Sequence, residues 1–155
     1  MIEPWYERWP KVPWREVLLT PPVDLALVSS ALGLAVSFHD WPHVLSGTYV
    51  PLPGGAGAIG LNANHCPARI RFSWAHEIGH HLACDVGCYS SDRFRTRSKR
   101  EKECNRFAAN LLMPPGLVAT FRGSIATADP RRAIQLTAAA FGVSLAAALR
   151  EEGVL

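Results

Sequence analysis

Apolar positions along the chain change their spacing near residue 68. Before it they fall in short runs broken by Pro and Gly; after it they recur every three or four residues. The first twenty residues are dense in Trp and Pro (Trp5, Trp9, Pro10, Pro13, Trp14). A short helix is expected over 14–19, with the indole rings stapling this arm onto the body. Residues 23–32 read as a helix stopped by Gly33. Strands are expected at 34–38, 47–52 and 58–61, the last two joined across the Pro53-Gly54-Gly55-Ala56-Gly57 turn. Residues 69–85 place Trp74, Ile78 and Leu82 four apart, with Ala75, Gly79 and Ala83 beside them, the stripe of a helix packed into a core. A loop over 86–96 leads to a helix at 98–112 that Met113-Pro114-Pro115 ends. Helices follow near 117–121, from Asp129-Pro130 as N-cap and first helical position, and over 144–152. The pattern predicts an α+β fold: a small three-stranded sheet packed on a mainly helical body. It divides into an arm (1–20), a core (21–125) and a C-terminal helical extension of the same domain (126–155).

With 155 residues, 48% of them hydrophobic, the chain can build one real core and not two. Its most apolar stretch, 23–38, is broken by Asp24, Ser29, Ser30 and Gly33, so it cannot span a bilayer. The first residues lack the basic and apolar regions of a signal peptide, and a cytoplasmic protein is expected. Cys66, Cys84, Cys88 and Cys104 are then expected as free thiols. Cys84 and Cys88, one helical turn apart, have no second pair at zinc-ribbon spacing and read as small buried hydrophobes. The formal charge is +3, and the segment 92–103 carries all of it. That segment reads as a solvated loop; the sharper expectation is a cationic rim over 93–102 that captures an acidic face of a protein substrate.

The helix at 69–85 contains His76-Glu77-Ile78-Gly79-His80, an H-E-x-x-H match. Two imidazoles four apart share a helical face and can bind one Zn²⁺ at about 2.0–2.1 Å. Glu77 is turned about a third of the way round, where it reaches a metal-bound water and can take its proton for attack on a peptide carbonyl. At this chain's His and Glu content, ~0.01 such matches are expected by chance. A catalytic zinc needs a third protein ligand and an open position. Glu101, on the next long helix, shares a face with Asn105. Glu101 can ligate while Asn105 accepts a hydrogen bond from a ligand imidazole. Glu103 faces away and is the weaker candidate.

Two blocks carry a family resemblance: Arg69-Ile70-Arg71-Phe72-Ser73-Trp74-Ala75-His76-Glu77-Ile78-Gly79-His80, and Glu101-Lys102-Glu103-Cys104-Asn105-Arg106-Phe107-Ala108-Ala109-Asn110-Leu111-Leu112-Met113-Pro114. They resemble the ImmA/IrrE metallopeptidases, whose pattern is roughly R-x-R-F-[TS]-x-A-H-E-x-G-H followed by E-x-x-A-N-x-F-A-x-x-L-L-M-P. Pro21-Pro22-Val23-Asp24, Gly47-Thr48-Tyr49 and Leu61-Asn62 also resemble it. The resemblance implies a gluzincin-like zinc endopeptidase with His76, His80 and Glu101 as ligands and Glu77 as general base. It also implies a protein substrate, a helix-turn-helix repressor whose cleavage releases mobile-element, prophage or stress-response genes. Cys104 stands where the family usually has Ala, a departure expected to spare zinc binding and to lend the activity redox sensitivity.

Tyr49, His65 and His81 are alternative donors to a tetrahedral oxyanion. Arg69 and Arg71 are read as structural pairing partners. Two His and one Glu suit zinc, with manganese or iron as other occupants. The segment 131–153 is similar to half of a helix-turn-helix, but its Leu145-Ala146-Ala147-Ala148-Leu149-Arg150 offers almost nothing to read base edges, so direct nucleic-acid binding is not expected. The alternatives to a protease are a non-catalytic, metal-stabilised module that sequesters the repressor and, behind it, a DNA-binding regulator. Intact Glu77 argues for the protease, since a structural site needs no base.

Overall fold

In a computed structural model, which describes residues 4–84 and 95–151, the chain is α+β. A 3-10 turn (Pro4–Arg8) leads into α1 (Trp14–Val17) and α2 (Leu25–Ala31), followed by β1 (Leu34–His39), β2 (Gly47–Pro51) and β3 (Gly57–Asn62). The helices α3 (Pro67–Cys84), α4 (Arg95–Leu112), α5 (Pro115–Ser124), α6 (Pro130–Phe141) and α7 (Leu145–Glu151) complete the chain.

Every strand and helix expected from the spacing is present, with shifts at the ends that have local causes. The helix expected from residue 23 begins at Leu25, because Asp24 is its N-cap and accepts from the Leu27 N–H at 2.9 Å. Gly33, at φ +70°, carries the chain out of it. Prolines extend two helices toward their N-termini: Pro67 opens α3 and Pro115 opens α5, positions where the missing N–H has no partner to lose. Asp129 caps α6 as expected, accepting from the Arg131 N–H at 3.0 Å.

The sheet order is β1-β3-β2. β2 and β3 form the expected antiparallel hairpin, with Tyr49 opposite Ile59, while β1 runs parallel to β3, with Val36 opposite Ile59. Alternation puts Leu34, Ile59, Leu61 and Tyr49 on one face, which packs on the apolar stripe of α3. In that stripe Ala75, Ile78 and Leu82 are buried. Full burial of such an aliphatic side chain is worth about 1.5–3 kcal/mol. Trp74 turns instead toward α2 and β1, donating to Ser29 Oγ at 2.9 Å and meeting the Phe38 ring edge-on.

The Trp-rich arm is part of this core. Tyr6, Val12, Trp14 and Val17 are buried with it, Trp14 donates to the Trp9 carbonyl at 3.1 Å, and Trp9 packs edge-on against Phe107 of α4. A second cluster (Met113, Val118, Ala138, Phe141, Ala148) joins α5, α6 and α7. Arg71 ties the two regions: it donates to the Val23 carbonyl at 2.8 Å, and its stem lies where a Cβ on Gly142 would stand.

Candidate metal centre

α3 and α4 cross at Gly79. A Cβ there would meet Phe107 at 3.2 Å and the Cα and Cβ of Cys104 at 3.3 Å, so the bare glycine is what lets α4 approach. The crossing brings Glu101 over the paired histidines. His76 and His80 place their Nε2 atoms 3.0 Å apart. The Glu101 carboxylate lies 3.2 Å from His76 Nε2 through one oxygen and 3.4 Å from His80 Nε2 through the other. One atom from each of the three residues falls within 4.8 Å of the others, and such a group could hold a metal ion. Two imidazole nitrogens and a carboxylate are the donor set of an open zinc site.

The outer nitrogens of both imidazoles are held as well. His76 Nδ1 is hydrogen-bonded to Asn105 Oδ1 at 2.9 Å, the contact expected from the spacing of Glu101 and Asn105. His80 Nδ1 lies 3.6 Å from Cys104 Sγ. Burial, reinforced by the neighbouring His76 and Arg100, lowers the pKa of His80 and favours the neutral imidazole that a metal requires. Glu103 is exposed and outside the cluster.

Glu77 is buried beside β2. Its carboxylate would be 3.0 Å from a Cβ on Gly47, so glycine at the start of that strand makes room for it. Burial and then the charge of Glu101 push its carboxyl up to about 7. Around these groups lies a cleft of about 760 Å³, walled by Gly47, Thr48, Tyr49 and Pro51 of β2 and by Phe72 and Arg100.

The three oxyanion candidates separate. Tyr49 lines the cleft. His81 is buried beneath it, with Nδ1 2.9 Å from the Tyr49 hydroxyl. His65 is buried under the 41–45 loop, hydrogen-bonded to the His43 carbonyl at 3.1 Å, and does not line the cleft. Arg69 lines the cleft and donates to Ser46 Oγ at 2.9 Å, whereas Arg71 is structural. Burial, with the charges of Glu101 and Glu77, pushes the Cys104 thiol up to about 12. Burial and the raised pKa both leave this thiol with little thiolate character. Cys66 is a free, exposed thiol. Of the cationic rim expected over 93–102, Arg93, Arg95 and Arg97 lie outside the described residues and side chains, as does the Cys84–Cys88 pair, while Arg100 lines the cleft.

Spacing gave no hint of Gly47 and Asn62 as supports of the site. Asn62, fully buried, donates to the carbonyls of Trp41, Pro42 and Leu45 at 3.1, 3.0 and 2.7 Å, and so holds the loop whose Val44 and Leu45 form one lip of the cleft. The signal available for both was the family resemblance, which takes in Gly47-Thr48-Tyr49 and Leu61-Asn62.

A histidine pair on one helix, a carboxylate from a crossing helix and a buried glutamate in the same cleft define a metallopeptidase-like domain. The sequence pattern of the peptidase M78 family, described as the IrrE N-terminal-like domain, matches residues 33–151, and the chain belongs to that family. No curated protein matches it. Among solved structures it is similar to a Mycobacterium tuberculosis transcriptional regulator, with a TM-score of 0.57 and 16% identity over 84% of this chain. The chain spans 41% of that regulator, and the likeness is one of fold. Among the described residues no helix is long and apolar enough to cross a membrane.

Proposed function

We propose that this chain is a zinc-dependent endopeptidase that cleaves a helix-turn-helix repressor in the cytoplasm and so derepresses the genes that repressor controls. The observation that carries the reading is the convergence of His76 Nε2, His80 Nε2 and the Glu101 carboxylate within 3.0–3.4 Å, beside a buried Glu77 in an open cleft. In it, His76, His80 and Glu101 hold the zinc ion. A zinc ion so held supplies Lewis acidity and lowers the pKa of a nearby water. Glu77, buried beside the ligands, takes the proton of the attacking water and returns it to the departing amine. The free edge of β2 orients the substrate: β2 pairs only with β3 among the described residues, and its other edge lies along the cleft. An extended peptide can add there as a further strand, with pairing ended at Pro51, which has no N–H to offer. Tyr49, on that strand, is the cleft-lining candidate for oxyanion stabilisation. A fold shared with part of a transcriptional regulator is compatible with a role in gene regulation.

The test mixes the purified protein, its metal content measured, with the repressor-like product of the neighbouring gene and compares Glu77→Gln. Cleavage by the parent and loss of it in the variant, at equal zinc content, supports the protease. Bound zinc with no cleavage by either favours the sequestering module. Salt-sensitive duplex binding without the partner would point to a DNA-binding regulator.

A further inference from the structure

Cys104 occupies a position that the reading above leaves unused. It is a free cysteine, 2% exposed, on the face of α4 that meets Gly79. The absence of a side chain at Gly79 brings the Cys104 backbone close enough for its sulfur to reach His80 Nδ1, at 3.6 Å. That nitrogen is the one turned away from the cluster, since His80 presents Nε2 to His76 and Glu101. The next residue of α4, Asn105, makes the corresponding contact to His76 Nδ1. Successive residues of one helix thus stand behind the two imidazoles, one turn after the glutamate that stands between them.

A neutral imidazole that offers its Nε2 lone pair to a metal carries its proton on Nδ1, and an acceptor for that N–H fixes the ring. For His76 that acceptor is an amide oxygen. For His80 the group at hand is the Cys104 sulfur. We propose that Cys104 is a positioning residue, its sulfur accepting the Nδ1 proton of His80 and fixing that imidazole with Nε2 turned toward the metal. This inference rests on the metal-site reading of His76, His80 and Glu101. Its chemistry is that of a buried, protonated side chain acting as a weak acceptor, neither ligand nor nucleophile.

The experiment compares the parent with Cys104→Ala and Cys104→Ser. Zinc affinity is measured by competition with a chromophoric chelator, and the imidazole N–H protons of the zinc-loaded proteins are followed by NMR. In the parent, both ligand histidines should show slowly exchanging Nδ1–H resonances. Cys104→Ala should keep the His76 resonance, lose the His80 one to exchange, and bind zinc about tenfold more weakly. Cys104→Ser, which restores an acceptor, should recover the second resonance and most of the affinity. Equal resonances and affinity in the parent and Ala variant overturn the proposal, as does an equal loss in Ala and Ser, which would mark a packing effect. A parent that binds no zinc removes the metal-site reading and this proposal with it; a parent that binds zinc beside unaffected variants removes this proposal alone.

Discussion

Glu77 shows how far one side chain's properties depend on where it is folded. Its neighbours in sequence give no reason for an unusual acidity, yet burial and Glu101 move it from an ordinary 4.5 to about 7. The metal-free folded chain therefore holds this proton more tightly than the unfolded chain does. The resulting stabilisation is complete below the unfolded value of 4.5 and is lost as pH rises through the folded value of about 7. Glu77→Gln removes that dependence. In chelator-treated protein, denaturant unfolding should show the Gln variant gaining on the parent between pH 4.5 and about 7 and level above it. A gap that stays constant with pH would count against a buried, proton-holding Glu77. The pairing of His76 and His80 was legible in the sequence because helix geometry alone puts positions four apart on one face. The acidity of Glu77 was not legible, because it comes from groups that the chain brings in from β2 and α4.

At the scale of elements, the crossing of α3 and α4 decides the site. Gly79→Ala should force the Cys104 backbone or the Phe107 ring to shift, lowering stability by about 1–3 kcal/mol. Because α4 also carries Glu101 and Asn105, the same substitution should weaken zinc binding. Gly123→Ala is the matched control: it lies in α5 with nothing within 4 Å of the added methyl, and the gain in helix propensity should stabilise by about 0.5–1 kcal/mol. Denaturant midpoints and zinc titrations of the two variants check both outcomes, and equal effects would dismiss the crossing as the determinant. The helical period in the sequence predicted both helices and the shared face of Glu101 and Asn105. It could not supply the closeness of the crossing, which depends on a missing side chain meeting a particular turn of another helix.

For the molecule as a whole, the arm and the core form one packed body. Tyr6, Trp14 and Val17 are as deeply buried as the sheet and α3. Trp14→Ala should therefore lower unfolding stability by about 3–5 kcal/mol, the range for removing a buried aromatic side chain, with a matching fall in Tm. A change below about 0.5 kcal/mol, the range of a surface substitution, would show that the arm does not contribute to the core.

The chain's own order of residues determined the α+β pattern, the helix cap at Asp129, and the histidine pair with its neighbouring glutamate. All of these rest on interactions a few residues long, so periodicity and spacing suffice to read them. The tertiary structure alone decided the parallel pairing of β1 with β3, the choice of Tyr49 over His65 as a wall of the cleft, the hold of Asn62 on the lip, and the contact of Cys104 with His80. Each of these joins residues about twenty or more positions apart. Burial and close packing choose such contacts among many that local pattern permits equally.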